Sequence, residues 1–197
     1  MKPKQSELDF DIIEIYSDGA CAGNPGPGGF GWLIRYLAYD QGSFHERIIE
    51  GSGAFENTTN NRMEMIGALE GLLRLEAMLL EMREADADDI KSFRTVKVTS
   101  DSSYLCSGFT KGWVKAWKRN GWITSSKQPV KNVDLWQDIE DIIDRLKRNF
   151  GLDVRFICIP GHKGYTFNER CDRLAYNAAR NDENRQRDIN YENLVRK

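Results

Sequence analysis

The segment Phe-Asp-Ile-Ile-Glu-Ile-Tyr-Ser-Asp-Gly at residues 10–19 sets the architecture expected of this chain. Its aromatic and β-branched residues as far as Tyr16 predict a strand. This strand runs into Ser17-Asp18-Gly19, and the sequence that follows, Gly23-Asn24-Pro25-Gly26-Pro27-Gly28-Gly29, is typical of a turn-rich loop. We therefore expect a first strand that presents a carboxylate, that of Asp18, at its carboxyl end.

Outward from this segment, the hydrophobic pattern predicts four more strands and four helices. Phe30, Trp32 and Ile34 occupy alternate positions, as in a strand, whereas Leu135, Ile139 and Leu146 are spaced as in a helix. The strands are predicted at 10–16, 30–36, 44–55, 94–101 and 153–160, and the helices at 62–83, 102–108, 133–150 and 169–180. The order β-β-β-α-β-α-α-β-α predicts an α/β fold, a five-stranded mixed sheet flanked by helices.

Four carboxylates fall where this order brings strand ends and helix starts together. Asp18 and Asp101 follow two strands predicted to be parallel, whereas Glu64 opens the first long helix and Asp172 lies one turn into the last helix. Because open α/β sheets bind ligands at the carboxyl ends of their strands, we expect all four at one edge. Structural explanations stay open as well: a turn residue at Asp18, a helix cap at Glu64 and a favourable helix-end charge at Asp172.

Such a cluster of negative charges is unstable unless cations neutralise it. Carboxylate oxygens suit hard divalent ions, so Mg²⁺, or else Mn²⁺, is the expected cofactor. Two such ions about 3.5 to 4 Å apart can drive in-line displacement at a phosphodiester by a metal-activated water. The pattern therefore favours phosphodiester hydrolysis with two metal ions.

The charge of the chain is nearly balanced in total but uneven along its length. The 197 residues include 28 Lys plus Arg and 30 Asp plus Glu, a net charge of -2, which argues against a uniformly basic nucleic-acid binder. Residues 64–90 hold eight acidic and two basic side chains, whereas residues 102–133 hold six basic and no acidic ones. The sequence thus predicts a basic surface separate from an acidic one.

Length and composition predict one domain over residues 1–180 and a charged tail at 181–197, which we expect to be frayed or to form a solvated helix end. No apolar run is long enough for a membrane span, and residues 1–10 lack the apolar core of a signal peptide. No C-x-x-C pair occurs among the four widely spaced cysteines, Cys21, Cys106, Cys158 and Cys171. A cytoplasmic protein without disulfides or a zinc cluster is therefore expected.

Motifs in a fixed order point to a family. They are Ser17-Asp18-Gly19-Ala20, Asn60-Asn61-Arg62-Met63-Glu64, Thr99-Ser100-Asp101-Ser102, Lys131-Asn132-Val133-Asp134, and Gly161-His162-Lys163-Gly164 leading to Asn168-Glu169-Arg170-Cys171-Asp172. Through them the chain resembles type 1 ribonuclease H, in its bacterial single-domain form, from about Ile12 to Ala178. The resemblance implies a ribonuclease H-like fold with a basic protrusion. It also implies hydrolysis of the RNA strand of RNA/DNA hybrids, leaving 5′-phosphate and 3′-hydroxyl ends.

The resemblance also assigns roles to residues. The metal-binding catalytic carboxylates would be Asp18, Glu64, Asp101 and Asp172. His162 matches a mobile-loop histidine that assists proton transfer or product departure, and a loop histidine without a role is the alternative.

Substrate contacts implied by the resemblance fall into groups. The RNA strand and minor groove would meet the side chains of Asn24, Asn60, Asn61 and Ser103, the last at a position where glutamine is common. A DNA-strand phosphate would meet Thr59 and Asn132, whose structural alternatives are a helix cap and a turn amide. The remaining implied contacts are Asn168 and, in the protrusion, Trp113, Trp117, Lys118 and Arg119. The tryptophans have an alternative role, since they could pack a small core of the protrusion itself.

Other interpretations compete with this one. Gly26-Pro27-Gly28-Gly29-Phe30-Gly31 fits the dinucleotide pattern G-x-G-x-x-G, but a strand-like alternation follows it instead of the required helix. A DNA-directed nuclease of the same fold and a non-catalytic hybrid-binding module are the two functional alternatives. Retention of all four carboxylates argues against a pure binder, because acidic groups near phosphates weaken binding. We expect a monomer whose partner is the RNA/DNA hybrid, and no membrane association.

Overall fold

The computed structural model describes residues 9–85, 88–161, 164–181, 183 and 185–195. Its strands are β1 (Ile12–Cys21), β2 (Gly26–Asp40), β3 (Ser43–Thr58), β4 (Thr95–Ser100) and β5 (Asp153–Cys158). Its helices are α1 (Asn60–Glu84), α2 (Ser103–Thr110), α3 (Trp113–Arg119), α4 (Val133–Phe150), α5 (Thr166–Asn181) and α6 (Ile189–Val195), with a 3-10 turn at Asp88–Lys91. The predicted α/β class is confirmed.

The five strands form one mixed sheet in the order β3-β2-β1-β4-β5. β2 runs antiparallel to both β1 and β3, while β1, β4 and β5 are parallel to one another. The carboxyl ends of these three parallel strands therefore meet at one edge of the sheet. The segments that follow β4 and β5, and the helix that follows β3, all begin at or near this edge.

The sheet is covered on both faces. Ile13 and Ile15 of β1 are fully buried in the main core, together with residues of α1 and α4 such as Leu72 and Trp136. On the other face, Leu33 of β2 packs with Phe167 and Cys171 of α5. Burial on this scale supplies most of the driving force for the fold. It also holds the helices against the sheet, so that their polar residues lie at the sheet edge.

The glycine-rich segment that follows β1 differs from its prediction. Residues 26–29 were predicted to be part of a loop, yet they open β2 and pair with β1 and β3. A Cβ atom on Gly29 would lie 2.4 Å from the backbone nitrogen of Ala179, and one on Gly31 would lie 2.6 Å from the carbonyl oxygen of Cys171. These glycines are therefore needed so that α5 can lie directly on β2.

Two further segments differ from the sequence-based expectation. The sequence pattern did not predict α3, and α5 begins at Thr166 rather than at residue 169. Residues 185–195, expected to be frayed or a solvated helix end, are attached to the domain: the backbone N–H and C=O of Gln186 pair with Ala54 and Glu56 of β3, and the helix α6 follows. No helix within the described part of the chain is long and apolar enough to span a membrane.

Candidate active site

Asp18 lies inside β1 rather than at its end, and its side chain is buried, with 7% exposed. Oδ1 accepts a hydrogen bond from the backbone N–H of Gly19 at 2.7 Å. Oδ2 accepts one from Nδ2 of Asn168, in the first turn of α5, at 3.4 Å. The strand and the helix together hold this carboxylate in one orientation.

Glu64 reaches the same place from the second turn of α1. A Cβ atom on Gly19 would lie 2.3 Å from the backbone nitrogen of Glu64, so α1 begins directly against β1. Only glycine permits this approach of helix to strand. Oε1 of Glu64 accepts a hydrogen bond from Nδ2 of Asn60 at 2.8 Å, which orients the carboxylate from one turn earlier.

Asp101 and Asp172 complete the group. Asp101 follows β4 directly, and Asp172 lies in the second turn of α5, one helical turn beyond Asn168. The backbone after β5 passes close to Asp101, because a Cβ atom on Gly161 would lie 2.8 Å from its Oδ2. We call Asp18, Glu64, Asp101 and Asp172 the carboxylate cluster.

Burial and neighbouring negative charges raise the pKa of two members of the carboxylate cluster, Asp18 and Glu64. Burial, and then the negative charges of Asp101, Asp172 and Glu64, raise the pKa of Asp18 to about 8, against the hydrogen bond from Gly19. Burial also raises the pKa of Glu64, which hydrogen bonding by Ser102 partly opposes. Such shifts are the expected result of placing several carboxylates in one desolvated site.

The carboxylate cluster fits divalent metal ions. Within the described residues, no three His, Cys, Asp or Glu side chains form a ready-made metal cage. Magnesium seldom needs one, since it is usually held by one or two carboxylates together with substrate phosphates and water. Oδ1 of Asn168 is buried without a hydrogen-bond partner among the described residues, and so leaves an oxygen ligand or acceptor beside Asp18.

Of the amides predicted to contact the RNA strand, three lie together at the start of α1. Oδ1 of Asn24 accepts a hydrogen bond from the backbone N–H of Asn60 at 3.2 Å, and Asn61 is exposed beside it. Ser103 is also exposed, as the first residue of α2 across the carboxylate cluster's edge. The structure thus places these side chains around the cluster, and Asn60 is engaged with Glu64 as well.

Thr59 and Asn132, the predicted phosphate contacts, line one cavity of about 820 Å³. They occupy the N-cap positions of α1 and α4, yet neither side chain makes a capping hydrogen bond. Arg62 lies behind them, 1% exposed, and its Nη1 donates to Oδ1 of Asn132 at 3.5 Å. Two hydrogen-bonding side chains are therefore presented to the cavity with a buried guanidinium close by.

The protrusion, defined here as residues 111–131, contains α3. Trp113 is 38% exposed and its ring lies 5.8 Å from that of Trp117, which in turn contacts the core ring of Trp136 at 5.7 Å. The tryptophans thus both pack the protrusion and leave one ring at the surface. Lys118 and Arg119 are exposed, and Nζ of Lys118 lies 2.9 Å from Oε2 of Glu140.

Four residues near the site were assigned no role from sequence: Arg62, Ser102, Asp134 and Asp188. Arg62 donates to both carboxylate oxygens of Asp134, at 3.0 and 2.7 Å, and to both of Asp188, at 2.9 and 2.7 Å. Ser102 caps α2 and hydrogen bonds to Glu64. The arginine inside the Asn60–Glu64 motif was the one indication of this network in the sequence. Nothing in the sequence indicated its partner Asp188, which lies 126 residues later. His162 lies outside the described residues.

Comparison with known proteins identifies the family of the chain. The profile of the RNase H family matches residues 11–180. The ribonuclease H of Aeromonas salmonicida is 40% identical over 167 residues, 85% of this chain and 89% of the relative. That of Acetivibrio thermocellus is 41% identical over 163 residues, 83% of this chain and 91% of the relative.

Two solved structures that superpose on this chain are also ribonucleases H. LC9-RNase H1, described as a type 1 RNase H with the type 2 active-site motif, superposes with a TM-score of 0.60 at 28% identity, covering 88% of this chain and 74% of that one. LC11-RNase H1, solved in complex with an RNA/DNA hybrid, superposes with a TM-score of 0.55 at 25% identity, covering 85% and 96%. The chain therefore belongs to the ribonuclease H family and is an endoribonuclease.

Proposed function

We propose that this enzyme hydrolyses the RNA strand of RNA/DNA hybrids with two divalent metal ions, and that it leaves 5′-phosphate and 3′-hydroxyl ends. The observation that carries the proposal is the carboxylate cluster, in which β1, α1, β4 and α5 bring four acids to one sheet edge. The hybrid bound in the LC11-RNase H1 complex supports the choice of substrate.

In this proposal Asp18, Glu64, Asp101 and Asp172 hold the metal ions, with Mg²⁺ preferred and Mn²⁺ possible. The ions would supply an activated water and stabilise charge on the leaving 3′ oxygen. The chain's own task is orientation: the Gly19 N–H and Asn168 fix Asp18. Asn60 likewise fixes Glu64. His162 would play the part of the family's loop histidine, which assists proton transfer or product departure.

Substrate recognition is proposed to use both sides of the carboxylate cluster. Amides and hydroxyls suit the RNA strand because a 2′-hydroxyl both donates and accepts, and Asn24, Asn60, Asn61 and Ser103 supply such groups. Thr59 and Asn132 would hold a phosphate of the DNA strand. The protrusion would follow the same strand with the rings of Trp113 and Trp117 and the cations of Lys118 and Arg119.

The proposal is tested with labelled RNA/DNA hybrid, duplex DNA, duplex RNA and single strands, each with Mg²⁺, Mn²⁺ or chelator. We expect cleavage of the RNA in the hybrid, dependent on metal and lost in Asp101→Asn. Asp153→Asn, at an exposed aspartate that opens β5, is the matched control and should stay active.

Product ends are checked by labelling with and without phosphatase. Equal cutting of duplex DNA would favour the DNA-directed nuclease. Hybrid binding without cleavage would favour the non-catalytic module. Cleavage that persists in chelator would overturn the metal-dependent mechanism.

A further inference from the structure

The cavity that holds Thr59 and Asn132 has a second wall, which comes from the far end of the chain. Besides the residues near α1 and α4, it is lined by five residues of α6, Asn190, Tyr191, Asn193, Leu194 and Val195. We propose that α6 is part of the DNA-strand binding site and that Asn190 and Asn193 contact the deoxyribose-phosphate backbone next to the phosphate at Thr59 and Asn132. This inference rests on the proposed function.

The wall formed by α6 is held by a buried ion pair. Asp188, 4% exposed, accepts two hydrogen bonds from Arg62 and one from the hydroxyl of Thr58 at 2.8 Å. Oδ1 of Asp188 also accepts from the backbone N–H of Tyr191 at 3.0 Å, which fixes the first turn of α6. Since Arg62 also contacts Asn132, both walls of the cavity are tied to one guanidinium.

The backbone of Gln186 adds a second attachment. Its N–H donates to the carbonyl of Ala54 at 2.8 Å, and its C=O accepts from the N–H of Glu56 at 2.8 Å. The segment that precedes α6 is therefore joined to β3 through Gln186 and to α1 through Asp188. A wall attached in this way needs little ordering on binding, which favours affinity.

The chemistry of the cavity suits a phosphodiester backbone. Among its lining residues the basic side chain is Lys131, and the acidic one, Asp134, is paired through both oxygens with Arg62. The residues contributed by α6 carry no charge, and two of them are asparagines with exposed side chains. Amides commonly donate to phosphate and sugar oxygens. An acidic peptide or a bare metal ion would find less to bind here.

The position of α6 beside Thr59 and Asn132 favours the DNA strand, and its length allows contact with neighbouring phosphates. Asn190 and Asn193 are three residues apart and so lie on one face of the helix. Seven helical residues span about 10 Å, whereas successive phosphates of a strand advance about 3.4 Å along a duplex. The helix can therefore follow the strand held at Thr59 and Asn132 past the phosphate bound there.

The test compares Asn190→Ala/Asn193→Ala with Asn177→Ala/Asn181→Ala, which removes two exposed amides of α5 that do not line the cavity. Affinity for a fluorescent RNA/DNA hybrid is measured by anisotropy in chelator, and kcat and KM are measured with Mg²⁺. We expect the α6 variant to bind at least about fivefold more weakly, as for the loss of two hydrogen bonds. Its KM should rise, with kcat and Tm unchanged, while the α5 variant matches wild type.

A second variant tests the same contact by a gain. Asn190→Lys/Asn193→Lys should bind more tightly at low salt, and the slope of log affinity against log salt should steepen by about two. A methylphosphonate is also placed at successive positions of the DNA strand. At one or two positions it should weaken hybrid binding by the wild type more than binding by the alanine variant.

The outcomes separate the two proposals. Unchanged affinity in the alanine variant, or tighter binding because α6 obstructs the cavity, overturns the role of α6 while wild type still cuts hybrids. An unchanged salt slope in the lysine variant overturns it too. A wild-type protein that neither binds nor cuts hybrids overturns the proposed function, and this inference with it.

Discussion

The carboxylate cluster and the protrusion carry opposite charges and are built in opposite ways. The cluster stands on strands and helices that touch backbone to backbone, as where Gly19 of β1 meets Glu64 of α1. The protrusion has one short helix, exposed cations and a left-handed Gly112, where an added Cβ atom would have no neighbour within 4 Å. Chemistry at the cluster needs fixed geometry, whereas the proposed electrostatic contact with a backbone tolerates movement.

The two regions also differ in what their charges cost the folded protein. The cluster confines several negative charges, and burial with the neighbouring acids raises the pKa of Asp18 to about 8. The cations of the protrusion are exposed and can be solvated. Stability is therefore lost at the cluster, where we propose that metal ions bind, and the protrusion bears little of this cost.

The largest effect is expected from Asp18→Asn. Activity should fall at least about 100-fold because a proposed metal ligand is lost. Stability should move the other way. The folded state holds the Asp18 proton up to about pH 8, whereas the unfolded chain releases it near 3.8, so the free energy of unfolding of wild type falls as pH rises between these values.

The asparagine cannot ionise, so the variant should lack that decrease and be more stable at pH 9 by at least about 2 kcal/mol. If the side-chain amide of Asn168 rotates, its Oδ1 can accept a hydrogen bond from the new amide at position 18, since this oxygen has no partner among the described residues. Urea unfolding at pH 5, 7 and 9 without metal measures this, with Asp153→Asn as control. A variant less stable than wild type at pH 9 would contradict the account of the cluster.

Gly19→Ala tests the fixed geometry of the cluster. The added methyl group would lie 2.3 Å from the backbone nitrogen of Glu64, so α1 must move. We expect a loss of about 1–3 kcal/mol in stability and, because a 1 Å displacement of a catalytic group is costly, about a 100-fold loss of kcat. Unfolding and steady-state kinetics measure the two effects. Wild-type kcat would show that this contact does not position Glu64.

Gly112→Ala is the matched change in the protrusion. Gly112 has φ of +69°, but a Cβ atom there would have no neighbour within 4 Å. The expected cost is about 1 kcal/mol, from the left-handed backbone alone. The kcat should stay at the wild-type value when measured at saturating hybrid. A loss of kcat as large as that of Gly19→Ala would remove the distinction between the two regions.

Much of the cluster could be predicted because it depends on local order. Asp18 and Asp101 follow alternating strand patterns, and parallel strands place their carboxyl ends together. Asp18 nevertheless lies within β1, not at its end. The pattern could not show that β1 continues to Cys21, because Ala20 and Cys21 pair with Gly29 and Gly28, which the sequence predicts to lie in a loop.

The second wall of the cavity could not be predicted for a similar reason. Residues 181–197 are polar and rich in asparagine, which by composition is typical of a frayed end. What orders α6 is the pairing of Asp188 with Arg62 across 126 residues. A short-range pattern carries no information about such a partner. The helix α3 was missed because only one of its seven residues, Val114, is buried, so the segment shows no clear hydrophobic period.

The smallest effect is expected from single charges of the protrusion. Lys115→Gln removes an exposed cation of α3, and Lys147→Gln, in the last turn of α4 at its far end from the protrusion, is the control. A phosphate contact supplies affinity without fixing the reacting atoms, so KM should rise about two- to fivefold with kcat unchanged. The salt slope of hybrid binding should fall by about one for Lys115→Gln and stay the same for Lys147→Gln. If Lys115→Gln instead lowered kcat at saturating hybrid, the protrusion would help to position the scissile bond, and the division of labour between fixed acids and mobile cations would fail.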